Sequence, residues 1–258
     1  MKERRAAWTF VAPALIVIGA FFLAPVVAAF ALSLTDFDLY ALADLRNLRF
    51  VGLGNYVDIL KTPLFWKSLG NTFYFVLVGV PLSIAVSLGA ALLLDSKLAR
   101  FKGFFRTALF APVDWLGDPH WSMPAIILFA VWKNFGYNMI ILLAALQGIP
   151  RDLYEAAHID GASALQRLRH ITLPMLRPAL LLVSVITVSG YFQLFAEPYV
   201  MTRGNPLQST VSVLYFMYEE GFTWWSLGRA SAIAFLLFAL ILAATLLLLR
   251  WDRRGETA

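Results

Sequence analysis

Glu155-Ala156-Ala157-His158-Ile159-Asp160-Gly161, followed ten residues after the glycine by Ile171-Thr172-Leu173-Pro174, is polar and basic and lies between two long apolar stretches. Its residue types suit recognition rather than bond making. Leu153, Ala156, Ala157 and Ile159 make a small apolar surface, the alanines let another chain come close, and Glu155 and Asp160 offer hydrogen-bond acceptors. An ordinary amphipathic helix in a membrane interface would use the same types. The fixed spacing, EAA-x3-G-x9-I-x-L-P, sets this segment apart.

A second group of polar residues sits inside apolar runs, where such side chains are functional candidates by default: Asn71, Asn134, Asn138, Ser184, Thr187, Ser189, Tyr191 and Gln193. Amides and hydroxyls suit a hydrogen-bonding ligand, and the aromatic faces of Tyr191 and Phe192 suit C–H groups. Tyr191 and Gln193 lead as candidates for a substrate path because the run turns polar there, with Asn134 and Asn138 next. The competing reading of each is helix–helix hydrogen bonding, worth about 0.6 kcal/mol per contact. Lys133 is out of place within Met123–Leu146 and is expected to pair with an acid or line a wet cavity.

Other chemistry finds no support. His120, His158 and His170 lack metal-ligand spacing, and Asp114 and Asp118 are four apart but lie in a loop with Pro119, which does not suit a catalytic dyad. No GxxxxGK[ST] phosphate loop occurs, so any ATP must bind on another chain. Cysteine is absent, which excludes disulfides and cysteine-ligated metals and leaves the redox compartment open. No catalytic residue, metal or cofactor is expected, and the chain does not read as an enzyme.

The elements that position these residues are membrane spans. The chain is 60% hydrophobic and 14% charged, with mean hydropathy +0.72, whereas soluble domains carry about 25% charge. Besides Ala6–Leu32, four stretches are long enough to cross a bilayer: Leu69–Leu94, Met123–Leu146, Pro178–Phe195 with a polar continuation to Val200, and Gly228–Leu249. The first is too long for a signal peptide and contains Pro13 and Pro25, so it reads as an uncleaved span. The runs are continuous, which excludes a barrel and requires helices. Thr35–Ser68 and Glu197–Leu227, the longest polar stretches, are too short for a soluble domain.

Of 21 Lys and Arg residues, 14 fall in four blocks beside apolar runs: Lys2/Arg4/Arg5, Lys97/Arg100/Lys102/Arg106, Arg151/Arg167/Arg169/Arg177 and Arg250/Arg253/Arg254. That clustering marks cytoplasmic loops and argues against nucleic acid as a partner. Both termini are then inside, Asp36–Lys67 and Glu197–Leu227 outside. Trp66, Trp115, Trp121, Trp224 and Trp225 fit an outer aromatic belt. The middle two basic blocks require an even number of spans between them. Only Met123–Leu146 and the short apolar piece Phe104–Val113 are available, and ten helical residues reach about 15 Å of a ~30 Å core.

Local signals shape the docking segment. Pro150 suits a helix start, Asp152 the positive helix end, Gly161 a stop at positive φ, and Ser163-x-x-Gln166 a capping box for a second short helix. The resulting loop, 150–174, resembles the cytoplasmic coupling loop of binding-protein-dependent type I ABC importer permeases. The longer match, EAAxIDGAxxxQ with ITLPMLRP, resembles the carbohydrate branch. So do Phe195-Ala196-Glu197-Pro198-Tyr199-Val200-Met201-Thr202, Gly204 to Thr210, Tyr215-Phe216-Met217-Tyr218-Glu219 and Trp115-Leu116-Gly117-Asp118-Pro119, which look like the first permease of a maltose or glycerol-phosphate type pair.

The resemblance covers nearly the whole chain. It implies a single permease domain, 1–258: an all-α helix bundle of about six spans in the bacterial inner membrane. It implies that Leu153, Glu155, Ala156, Ala157, Asp160, Gly161 and Ser163 couple to an ABC ATPase dimer. A second permease subunit, an extracytoplasmic sugar-binding protein, membrane lipid and a carbohydrate substrate complete the expected partners. Two departures stand out. Gly204-Asn205-Pro206 replaces the family's usual Gly-Gly-Pro, and roughly 30 to 40 residues are missing between Ala111-Pro112-Val113 and Asp114-Trp115, truncating the third helix near 104–113. A transport-inactive homologue that only inserts and docks an ATPase is the rival reading. An ion-coupled transporter would need acids within its spans, and the five long runs contain none.

Overall fold

The computed structural model describes residues 11–95 and 114–254. The expected truncated helix at 104–113 and the basic block Lys97–Arg106 lie outside the described residues. Among the described residues the regular structure is helical apart from one antiparallel bridge, Thr35 with Phe50. The principal helices, in order, are α1 Val11–Ser33, α2 Leu39–Ala43, α3 Gly54–Lys61, α4 Pro63–Asp95, α5 Ser122–Gln147, α6 Arg151–Ile159, α7 Ala164–Met175, α8 Arg177–Phe192, α9 Val213–Tyr218 and α10 Leu227–Arg254, with short helical turns at Leu45–Asn47, Pro198–Thr202 and Glu219–Thr223. α1, α4, α5 and α10 are each long and apolar enough to cross a bilayer. α5, with 26 residues, is about 39 Å long at 1.5 Å per residue.

The fourth expected span, Pro178–Phe195, is corrected in length and shape. Its helix, α8, has 16 residues and ends at Phe192 rather than at Phe195. It qualifies as a span only together with α7, from which it is bent by 68°. Prolines supply the reason. Pro178 lacks the N–H that would satisfy the Pro174 carbonyl, and its ring crowds that carbonyl, so the helix breaks between them. Leu176 sits at the break, fully buried, and carries hydrogen bonds on both sides: its N–H to Thr172 O at 2.9 Å, and its C=O from the Leu180 N–H at 2.8 Å.

The described residues form two compact units. One comprises the described part of Met1–Trp66 with Phe216–Phe238. α1 is apolar all round and leaves Phe21 and Phe22 largely exposed, as a helix solvated by lipid does. Below it, the buried Asn55 amide donates to Ser33 O and Thr35 O, both at 2.8 Å, and the Gly228 N–H donates to Phe37 O at 2.9 Å. The bond to Ser33 O satisfies a carbonyl freed where α1 ends, and the other two fasten the segment that follows it.

The other unit, Lys67–Tyr215 with Ala239–Ala258, contains both groups of residues singled out above. Its apolar core joins Ala91 of α4, Leu142 and Leu146 of α5, Ile149, Leu176, and Val183 of α8. Tyr154 of α6 and Ile171 of α7 pack against that core. Arg177, at the start of α8, ties the far end of α10: its Nε donates to Asp252 Oδ1 at 2.7 Å and its Nη2 to the Asp252 carbonyl.

Candidate functional site

The 150–174 loop folds as two helices around a glycine turn. α6 starts after Pro150 and has Asp152 in its first turn. It closes with the Gly161 N–H on His158 O at 3.1 Å and the Ala162 N–H on Ala157 O at 2.9 Å. That pair of bonds is a Schellman stop, and it requires the left-handed conformation that Gly161 holds at φ +74°. Ser163 then caps α7 reciprocally: the Gln166 N–H donates to Ser163 Oγ at 3.3 Å, and the Ser163 N–H to Gln166 Oε1 at 2.7 Å.

The face of this turn is open. Leu153, Glu155, Ala156, Asp160, Gly161 and Ser163 are exposed, Ile159 is 84% exposed, and Ala157 is half-buried. Among the described residues neither the Glu155 nor the Asp160 carboxylate is held by an ion pair. Ala157, Asp160, Gly161, Gln166, Arg167 and His170 border a shallow recess of about 400 Å³. Sequence reasoning missed how the turn is fastened. Tyr154 OH and Thr172 Oγ1 lie 2.9 Å apart, and the Tyr154 ring rests on the apolar core, so α6 is pinned to the bundle through one side chain.

Within the same unit, Tyr191, Gln193, Asn134 and Asn138 line one cavity of about 480 Å³, whose walls come from α4, α5, α8 and the segment up to Glu197. The two pairs thus share one cavity. The Tyr191 ring is buried against Phe75, centroids 4.9 Å apart, and its hydroxyl makes no hydrogen bond among the described residues. Gln193 is exposed and reaches back to Ser189 O at 3.1 Å; Asn134 donates to Ala130 O at 2.8 Å. The Asn138 amide bonds Thr187 Oγ1 at 3.0 Å, both side chains buried, so Asn138 also serves as a helix–helix tie between α5 and α8.

Lys133 resolves both ways at once: it lines the cavity, and its Nζ donates to Glu197 Oε1 at 2.8 Å. Thr187 lines the cavity too, whereas Asn71 and Ser184 fall elsewhere. Asn71 donates to Gln208 O and Val211 O, holding a loop, and Ser184 bonds back to Leu180 O. Asp118 caps its own turn, and the His120 backbone N–H, at 2.8 Å, holds its carboxyl below the ordinary range.

One cavity determinant carried no sequence signal. A Cβ on Gly79 of α4 would lie 2.8 Å from Tyr191 Cε2 and 3.1 Å from Cδ2. The glycine therefore makes room for the ring. Gly79→Ala is expected to displace Tyr191 and lower transport several-fold while ATPase association stays at the wild-type level; unaltered uptake would mean the position of the ring is immaterial.

Residues 51–255 match the family of binding-protein-dependent transport system inner membrane components. The chain belongs to this family. It is a multi-pass, all-α membrane permease. Its relatives include the lactose transport system permease LacF of Rhizobium radiobacter, 33% identical over 91% of this chain and 89% of the relative. The trehalose/maltose transport system permease MalF of Thermococcus litoralis is 32% identical over 98% and 95% of the two chains. A chain in the crystal structure of a bacterial ABC transporter involved in import of the acidic polysaccharide alginate superposes with a TM-score of 0.74 at 20% identity, over 98% of this chain and 96% of that one. The match to the Thermococcus permease runs over 289 residues, more than the 258 of this chain. That relative therefore carries residues with no counterpart here.

Proposed function

We propose that this permease is one membrane half of an ATP-driven carbohydrate importer. Sugar delivered by an extracytoplasmic binding protein passes through the cavity lined by Tyr191, Gln193, Asn134 and Asn138. An ATPase dimer grips the 150–174 loop from the cytoplasm through Leu153, Glu155, Ala156, Ala157, Asp160, Gly161 and Ser163. The chain has one such loop, so a second permease subunit supplies the other. The observation that carries this reading is the open helix–glycine–helix turn pinned by Tyr154 to the bundle that walls the cavity. Relatives that carry lactose and trehalose or maltose support the substrate class.

In this account closure of the ATPase dimer pushes α6, Tyr154 passes the displacement to the core under α8, and the cavity turns outward to receive cargo. Both termini lie in the cytoplasm, and the chain performs no bond chemistry of its own. Proteoliposomes holding the permease, its partner subunit and the ATPase, with binding protein and a panel of neutral oligosaccharides outside, test it. ATP-dependent accumulation of at least one saccharide is expected. Accumulation without ATP, or with ion gradients alone, would contradict it.

A second reading has its own observation, the alignment longer than the chain. If the absent residues belong near 104–113, the third span is cut short, and the permease inserts and docks an ATPase without transporting. ATPase co-purification together with no uptake of any saccharide in the same proteoliposomes would favour it.

A further inference from the structure

Resting on the carbohydrate reading, we propose that Lys133 is a cargo-binding side chain and that Glu197 is the positioning residue that tunes it for neutral saccharides. Both line the cavity, and they are its only Lys, Arg, His, Asp or Glu side chains among the described residues. The two differ in access. The Glu197 side chain is 9% exposed and the Lys133 side chain 52% exposed, so of the two the lysine is the more accessible to a cargo. One Lys133 N–H is fixed on Glu197 Oε1 at 2.8 Å. An ammonium has three, so two remain for oxygen atoms of a cargo.

An ammonium near the middle of α5 is costly to keep without a counter-charge. Left alone it would favour a carboxylate ligand over a hydroxyl. With Glu197 in contact the lining is neutral overall, so a neutral sugar gains charge-assisted hydrogen bonds and brings no uncompensated charge into the site. An acidic sugar places its carboxylate within several ångströms of the Glu197 carboxylate, a repulsion that a partly dry cavity screens poorly. Gln193 and Asn134 add uncharged polar groups, suited to an uncharged ring.

The test uses the assembled transporter in nanodiscs without binding protein, so that only the membrane site reads the ligand. Saturation-transfer NMR gives affinities for a panel of neutral trisaccharides and for the same sugars with the terminal C6 oxidised to a carboxylate. Wild type is expected to prefer the neutral form. Glu197→Gln removes the counter-charge but keeps an oxygen for Lys133; it is expected to shift the acidic-to-neutral affinity ratio toward the acidic form by about tenfold, the scale of one like charge removed at this range. Lys133→Met is expected to weaken neutral binding, and Lys133→Arg to retain part of it. Normal ATPase co-purification in each variant shows that the fold persists. A wild-type preference for the acidic sugar, or an unchanged ratio in Glu197→Gln while neutral sugars still bind, overturns the proposal and leaves the carbohydrate reading standing. Wild type binding none of the saccharides overturns that reading, and this proposal with it.

Discussion

Gly161→Val is expected to leave the permease in the membrane and strip it of its ATPase. The glycine holds φ +74°, and a Cβ there would touch nothing within 4 Å, so the substitution acts through backbone strain and not through a clash. A β-branched residue resists the left-handed region, at a cost of about 1–3 kcal/mol. The turn can escape that strain only by abandoning the Schellman closure, which swings Ser163 and its capping box away from α6. Co-purification of the ATPase should fall about tenfold or more, since ~1.4 kcal/mol is a factor of ten. Gly161→Asn provides the control, because asparagine tolerates this region, and it should keep most of the association. Glu155→Lys reverses a charge on the exposed face and should be as damaging as Gly161→Val without altering the turn. Wild-type association and uptake in Gly161→Val or in Glu155→Lys would mean the loop is not where the ATPase docks.

The second large effect is expected at the cavity. Tyr191→Ala removes a ring that is 5% exposed and packed on Phe75. Uptake should drop by about ten- to a hundredfold, taking about 1.5–3 kcal/mol for the buried ring that shapes the cavity wall. Gln193→Ala should cost less, because its amide is exposed and can be replaced in part by water. ATPase co-purification should be untouched in both, since neither residue takes part in the docking turn. Uptake equal to wild type in both would remove these side chains from the path and leave Asn134 and Lys133 as the lining groups to test.

Much of the docking turn was legible from residue types alone. Gly161 announced a positive φ, Ser163-x-x-Gln166 a reciprocal cap, and Pro150 with Asp152 a helix start; each is a local rule satisfied within a few residues. The spans were legible because an apolar run of sufficient length has few other uses. Lys133 was legible as an anomaly, but its partner was not, since Glu197 lies 64 residues on and only the packing of α5 near the end of α8 brings them together. Asn138 shows the same limit: sequence offered cargo or helix tie, and the Thr187 bond needed the facing helix to be seen. Gly79 looked like any glycine in a long helix until a ring was found against it. Tyr154 was passed over because nothing local distinguishes an anchor from an exposed interfacial tyrosine. The bend after Leu176 was half legible: the prolines at 174 and 178 marked a boundary, but its angle depends on how α7 and α8 pack.

The central claim is that loop 150–174 faces the cytoplasm and carries the ATPase, on the side of the membrane opposite the Asp114–Trp121 loop. One helix, α5, separates these loops, and the chain has no cysteine of its own. Single cysteines at Asp118 and His158 in the full chain, probed with a membrane-impermeant maleimide in intact cells and in inverted vesicles, test it directly. Position 118 should label only from outside. Position 158 should label only from inside, and bound ATPase should shield it. Labelling of both positions from the same side, or labelling of 158 that the ATPase does nothing to slow, would contradict the account.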